Sequence, residues 1–266
     1  MIRLSVNVNK IALLRNARGG TLPDVVAAAR TCIAAGCHGI TVHPRPDARH
    51  ITFQDVRDLA AMLQEVNDRS ATRTVEFNIE GYPSPEFLAL VHKVKPTQVT
   101  LVPDAPGLLT SNAGWNLARG GVDWLRDVLA ELAKAGIRTS LFLEPDPAQV
   151  RCAQTMGANR IELYTGPYAA AFGTPGGNKI LAAHREAAHL ARGIGLGVNA
   201  GHDLDLVNIP AYARAVKGLQ EVSIGHALVS DALYMGLARA VKAYLKALGS
   251  EPLDAKRKFA KPRLLN

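Results

Sequence analysis

Residues 138–163 read RTSLFLEPDPAQVRCAQTMGANRIEL. A run of alternating apolar residues at 138–143 gives way to helical periodicity over 147–156. The helix closes on Thr155-Met156-Gly157, and a second apolar run begins at Arg160. Glycine just past a helix accepts the left-handed conformation that ends it. Two strands joined through a helix must run parallel, because a parallel pair needs a crossover connection. Working outward, the same alternation recurs eight times. Strands are expected near residues 4–8, 39–43, 75–79, 98–102, 138–143, 160–163, 196–199 and 221–224. Helices are expected over 23–35, 52–66, 124–135, 147–156, 180–193, 209–216 and 231–248. Eight such units are the number that closes a barrel. The competing arrangement, an open doubly wound sheet, would carry Gly-x-Gly-x-x-Gly after its first strand, and that motif is missing there. The expected fold is α/β: a single-domain (β/α)8 TIM barrel over residues 1–250, with a basic tail over 251–266.

Composition agrees with this size and class. The chain has 266 residues, 48% of them hydrophobic and only 5% aromatic. An aliphatic core of Val, Ile, Leu and Ala is therefore expected, as for strands buried on both faces. Three cysteines, Cys32, Cys37 and Cys152, make no paired framework and fit a reducing cytosol. No apolar stretch approaches the ~20 residues of a membrane span. The amino terminus enters a strand pattern at once, so neither a signal peptide nor a membrane partner is expected, and the location is read as cytoplasmic. The net charge is +8, and the tail carries five cations against Glu251 and Asp254. The remaining positive charge lacks aromatic-basic interleaving, so small anions are favoured over nucleic acid.

A barrel builds its site from the carboxyl ends of its strands. Here those positions hold Asn7, Asn9 and Lys10; His43, Arg45 and His50; Asn78 and Glu80; Asp104 and Thr110; Glu144; Glu162 and Tyr164; Asn199, Gly201 and His202; and Gly225 with His226. Arg15, Arg18, Arg45 and His50 offer the donors that one phosphate needs. Ser223-Ile224-Gly225-His226, leading from strand eight into a helix, offers a second anion site, with Gly201-His202 as its other wall. Glu80 in a barrel mouth is suited to act as a base, His43 as a second base, and His202 to donate and recover protons. No His-x-His, Cys-x-x-Cys or tight carboxylate cluster appears, so no metal and no cofactor is expected. The Gly- and Pro-bearing stretch 104–121, which contains Thr110, reads as a lid, and 166–178 as a second mobile segment.

Four segments carry a resemblance. They are Val6 through Gly19 (VNVNKIALLRNARG), Gly39 through Ile51 (GITVHPRPDARHI), Val-Asn-Ala-Gly-His at 198–202 and Ser-Ile-Gly-His-Ala at 223–227. In this order they resemble the pyridoxine 5′-phosphate synthase family. The resemblance implies condensation of 1-deoxy-D-xylulose 5-phosphate with 3-amino-2-oxopropyl phosphate, forming pyridoxine 5′-phosphate, phosphate and water. It implies His43 and Glu80 as proton acceptors, His202 as proton donor, and Glu162 as the carboxylate that stabilises a transition state. Asn9, Lys10, Arg45, His50 and Thr110 would hold the deoxyxylulose phosphate. Asn7, Arg18, Asp203, Gly225 and His226 would hold the aminoketone phosphate and then the product. It also implies a homo-octamer.

Three positions depart from the family's usual pattern. Asn9-Lys10 stands where Asp-His is common, Tyr164 where histidine is frequent, and Asp203 where glycine is common. Contact of Asp203 with phosphate is expected through its N–H, with the carboxylate turned away. The rival readings are a one-substrate sugar-phosphate isomerase or decarboxylase and a phosphate-binding barrel without catalysis.

Overall fold

In the computed structural model, which describes residues 1–70, 74–104 and 113–253, eight parallel strands pair in chain order and the last returns to the first. Around the ring the chain runs β1 (Arg3–Asn7), α1 (Asn9–Arg18), α2 (Val25–Ala34), β2 (Gly39–Val42), α3 (Phe53–Asp68), β3 (Glu76–Gly81), α4 (Pro85–Val94) and β4 (Gln98–Leu101). It continues through α5 (Trp124–Lys134), β5 (Arg138–Leu143), α6 (Pro147–Met156), β6 (Arg160–Tyr164), α7 (Gly166–Ala171) and α8 (Pro175–Gly193). The circuit ends with β7 (Gly197–Gly201), α9 (Ile209–Ala215), β8 (Leu219–Ile224), α10 (His226–Met235) and α11 (Leu237–Leu248). Pairing of β1 with β8 through Arg3–Glu221 and Ser5–Ser223 closes the barrel. The expected (β/α)8 fold is the observed one.

Several helices lie outside the expected set. The anion-donor stretch after β1 is itself the helix α1, so its residues project on a 3.6-residue period. The segment expected to be mobile at 166–178 is α7 followed by the first turn of α8. Proline falls in the first turn of each, where an N–H has no intrahelical partner to lose, and Thr174 caps α8 by accepting from Gly177 N–H. The single helix expected over 231–248 is two, because Gly236 sits at φ +84° and breaks the ladder between α10 and α11.

The expectation of a wholly aliphatic core needs correction. Outward-facing strand residues such as Val6, Ile40, Ile79, Leu101, Leu141, Ile161 and Val222 are fully buried beneath the helices. The alternate residues, facing inward, are polar: Ser5, Thr41, Asn78, Gln98, Thr100, Ser140, Asn199 and Glu221 are all buried. They bond across the ring as well as to their neighbours. Gln98 on β4 donates to Glu221 on β8 at 3.4 Å and to Asn78 at 3.2 Å, while Asn199 on β7 donates to Gln98 at 3.4 Å. At the amino end Glu76 is paired with Arg3 and Arg138. Burial of these polar groups is tolerable because most of them satisfy one another, the Ser140 hydroxyl being left without a partner. The apolar count therefore describes the strand–helix layer, and a polar column fills the barrel itself.

The chain after α11 stays attached at the amino end. Ser250 Oγ donates to the Ile2 carbonyl at 2.5 Å, Leu253 N–H to the Gly36 carbonyl at 2.9 Å, and the Glu251 carbonyl lies 3.0 Å from His38 Nε2. Residues 251–253 thus pack on the barrel, and the rest of the basic tail lies outside the described residues. Among the described residues no helix is long and apolar enough to cross a membrane.

Candidate active site

All eight strands contribute to one cavity of about 530 Å³ at their carboxyl end. Its wall includes Asn7, Asn9, Lys10, His43, Arg45, His50, Glu80, Glu162, His202, Asp203, Gly225 and His226. Twelve of the fourteen expected site residues are therefore brought together from positions up to 219 residues apart. Arg18 is exposed at the last residue of α1 and does not line the cavity. Thr110 lies outside the described residues, with 105–112 of the expected lid; the part that follows packs down, with Trp115 and Leu117 buried. A second cavity of about 590 Å³ lies between α8 and α9, away from the strand ends, where Arg185, Arg192, Arg214 and Lys217 line it together with Glu186 and His189.

The two asparagines after β1 tie the rim together. Asn7 Oδ1 accepts Asn9 N–H at 3.0 Å, turning the chain into α1, and Asn7 Nδ2 donates to Glu80 Oε2 at 3.4 Å. Asn9 Oδ1 accepts the N–H of His43 at 2.9 Å. One side-chain link thus joins β1 to β3, and the other fixes the backbone that presents His43.

His43 Nδ1 stands 3.9 Å from Glu80 Oε2. Burial pulls the His43 imidazole well below its ordinary pKa, and the charges of Arg45, His50 and Arg49 push the same way. Burial lifts the Glu80 carboxyl to about 8, with help from Asp104. The two face each other as a neutral imidazole and a carboxyl that holds its proton at neutral pH, not as an ion pair. Glu162 is raised well above the ordinary range by burial and by Glu80, and it accepts from Thr100 Oγ1 at 3.3 Å. It fits because position 201 is glycine: a β-carbon there would collide with the Glu162 carboxylate.

Arg45 and Arg15 differ from their shared expectation. Arg45 lines the cavity while its Nη2 donates to Asp104 Oδ2 at 2.5 Å, both residues being buried. Arg15 instead grips Asp55, which completes the capping box of α3 with Thr52, through bonds of 2.5 and 2.9 Å. Its neighbour Asn16 donates to the carbonyls of Arg49 and His50 at 3.1 and 2.8 Å. Arg15 and Asn16 are thus clamps that hold the loop after β2, and the donors that line the cavity on this side are Lys10, Arg45, Arg49 and His50. Burial and the Arg45 charge bring His50 down to about 4, so the ring is neutral, with Nδ1 accepting from Ile51 N–H at 2.9 Å.

At the opposite wall, Gly225 caps α10 and His226 begins it, beside Ser223, so the helix N-terminus faces the cavity. A β-carbon at Gly225 would sit 3.1 Å from Asn7 Cβ, a tight fit in the same wall. The Asp203 carboxylate turns to its neighbour His202. Its Oδ2 lies 2.7 Å from His202 Nδ1, and the residue lines the cavity. Among the described residues, no three His, Cys, Asp or Glu side chains are grouped to hold a metal ion.

Residues 4–250 match the family model described as pyridoxal phosphate biosynthesis protein PdxJ. The chain belongs to the PdxJ family. A pyridoxine 5′-phosphate synthase of Bacteroides thetaiotaomicron is 52% identical over 248 residues, spanning 93% of this chain and all of the relative. One from Xanthomonas axonopodis pv. citri is 50% identical over 260 residues, 95% of this chain and 99% of the relative. Solved structures share the fold alone. Phosphoribosylanthranilate isomerase from Thermotoga maritima, at 12% identity, aligns with a TM-score of 0.55 over 94% of this chain and 99% of its own.

In this PdxJ barrel the sequence reading missed Arg49, Thr100, Phe142 and Ser223 as wall residues. Thr100 and Phe142 lie within β4 and β5, and only the inward phase of each strand could have pointed to them. Arg49 lies in the quoted His-Pro-Arg-Pro-Asp-Ala-Arg-His segment and Ser223 in the second anion motif, so both stood beside residues already chosen.

Proposed function

We propose that this PdxJ-family protein is a pyridoxine 5′-phosphate synthase. It condenses 1-deoxy-D-xylulose 5-phosphate with 3-amino-2-oxopropyl phosphate and releases phosphate and water. The observation that supports this reading is the convergence of His43, Glu80, Glu162 and His202 in one cavity, with Lys10, Arg45 and His50 in its wall and Gly225 and His226 at the start of α10.

The reaction needs an amine to add to a ketone, a phosphate to leave, and a ring to close with loss of water. Each step moves protons, and a positioned acid or base contributes roughly 10²–10⁴-fold. Neutral His43 is able to accept a proton. Glu80, near 8, exchanges its proton at little cost around neutral pH. His202 donates, and Glu162 is the side chain that stabilises a transition state. Lys10, Arg45 and His50, with Asn9, hold the first phosphate, while Gly225, His226, Asn7 and Asp203 frame the second. Arg18 and Thr110 enter this assignment through the sequence resemblance alone. Holding two substrates in register offsets ~7–11 kcal/mol of the bimolecular barrier.

The same reading includes a homo-octamer working in the cytoplasm without a cofactor. Tyr234 and Leu233, 92% and 71% exposed at the end of α10, supply apolar surface for assembly. The test is to mix both phosphates with purified protein and to follow pyridinol phosphate absorbance and free phosphate together. Turnover of either substrate alone would favour the isomerase or decarboxylase reading. Mass photometry measures the assembly.

A further inference from the structure

β7 ends in a backbone that most side chains avoid. His202 and Asp203 stand at φ +88° and +59°, one after the other, and neither is glycine. Consecutive residues of this kind persist only where their surroundings hold them. Here the Thr165 hydroxyl reaches the Gly201 carbonyl at 2.6 Å and the His202 carbonyl at 2.5 Å. Asn208 Nδ2 donates to the Asp203 carbonyl at 3.2 Å, and the Asn208 carbonyl accepts from the buried Tyr168 hydroxyl at 3.0 Å.

The turn brings together two side chains that an extended chain would send to opposite faces. Asp203 Oδ2 meets His202 Nδ1 at 2.7 Å, and the Tyr164 ring stands edge-on to the imidazole with centroids 5.2 Å apart. Glycine would form the same turn without conformational cost, and aspartate tolerates it better than most residues. What aspartate adds is a carboxylate on the imidazole.

We propose that Asp203 is a positioning residue that orients His202 and fixes its Nδ1–H tautomer, with Thr165 and Asn208 holding the turn that makes this contact. Proton exchange with substrate then runs through Nε2, since Nδ1 is engaged. The hydrogen bond from His202 in turn lowers the pKa of the Asp203 carboxyl. Lys10 from α1 and His226 from α10 also act on Asp203, and Tyr164 from β6, with Glu144 after β5 beyond it, faces the same pair. The proposal rests on reading His202 as the proton donor of the synthase.

Two substitutions separate charge from geometry. Asp203→Asn keeps an acceptor oxygen and drops the charge, whereas Asp203→Gly removes both and suits the backbone. Histidine labelled with ¹⁵N, assigned by comparison with His202→Gln, reports the tautomer of the ring in the full-length protein. The parent should show the Nδ1–H form. Asp203→Asn should keep that form, because an acceptor oxygen remains at Nδ1. Asp203→Gly should lose the tautomer preference. In the synthase assay kcat should fall in Asp203→Gly and fall less in Asp203→Asn. If the ring in Asp203→Gly keeps the parental tautomer, the proposal falls. The spectra need no turnover, so failure of the synthase reading would appear separately, as absent product with the His202–Asp203 contact intact.

Discussion

His43 Nδ1 lies 3.9 Å from Glu80 Oε2 in a wall where their side chains are 8% and 15% exposed. A polar pair this close and this dry is a place to pass a proton. Burial weakens the charged form of each partner, the imidazole downward and the carboxyl up to about 8. As an acceptor Glu80 works deprotonated, so kcat/KM should rise with pH through a limb near 8. Glu80→Gln should cut turnover by roughly 10²–10⁴ and abolish that limb, with binding of deoxyxylulose phosphate retained in calorimetry. Undiminished turnover would remove Glu80 from proton transfer.

The same carboxyl shapes stability. Its pKa is higher folded than unfolded, so the folded state holds a proton that the unfolded chain gives up. The stabilisation is present below the ordinary value of 4.5 and is lost as pH rises through about 8. Glu80→Gln should therefore melt at a less pH-dependent temperature than the parent between pH 5 and 9. Parallel melting curves across that range would contradict the assignment.

His184 predicts the opposite slope. It is fully buried, its Nδ1 lies 2.9 Å from the Tyr212 hydroxyl, and burial lowers it to about 4. The unfolded chain takes up a proton near 6.5 that the folded chain refuses, so this stability is present above 6.5 and lost as pH falls through 4. Thermal melts should fall across that window, and His184→Gln should flatten the fall. An unchanged slope would exclude His184 as a source.

Arg45 and Asp104 form a buried pair. Arg45→Ala leaves a carboxylate without its cation and should cost about 3–5 kcal/mol of stability in denaturant titrations. Arg45→Met with Asp104→Asn should restore most of that stability while leaving KM for the deoxyxylulose phosphate raised. Recovery of KM together with stability would mean that Arg45 only supports the fold.

Gly201→Ala should place a methyl against the Glu162 carboxylate. Overpacking of this kind costs about 1–3 kcal/mol, and here it also displaces a side chain proposed to stabilise a transition state. The variant should melt lower and lose kcat more than KM. Parental kcat in a variant that melts lower would separate Glu162 from the chemistry.

Much of this protein was legible in order along the chain. The strand–helix alternation and its closing count of eight follow from local periodicity, and so does the polar set at the strand ends, because side-chain direction repeats every two residues in a strand. The His-Pro-Arg-Pro-Asp-Ala-Arg-His and Asn-Ala-Gly-His segments marked the site by their residue types. Three matters were decided only by the closed ring. A strand that is apolar on one face looks much like one buried on both, so the Gln98, Asn199 and Glu221 column inside the barrel appeared only when β4 met β7 and β8 across it. Arg15 and Arg45 carry the same group, and only the nearness of Asp55 made the first a clamp while the second reached the cavity. The meeting of Asp203 with His202 depended on two left-handed residues in succession. Propensity along the chain sets where helices and strands form, but which charge faces which is set by distances between elements, and those exist only in the folded barrel.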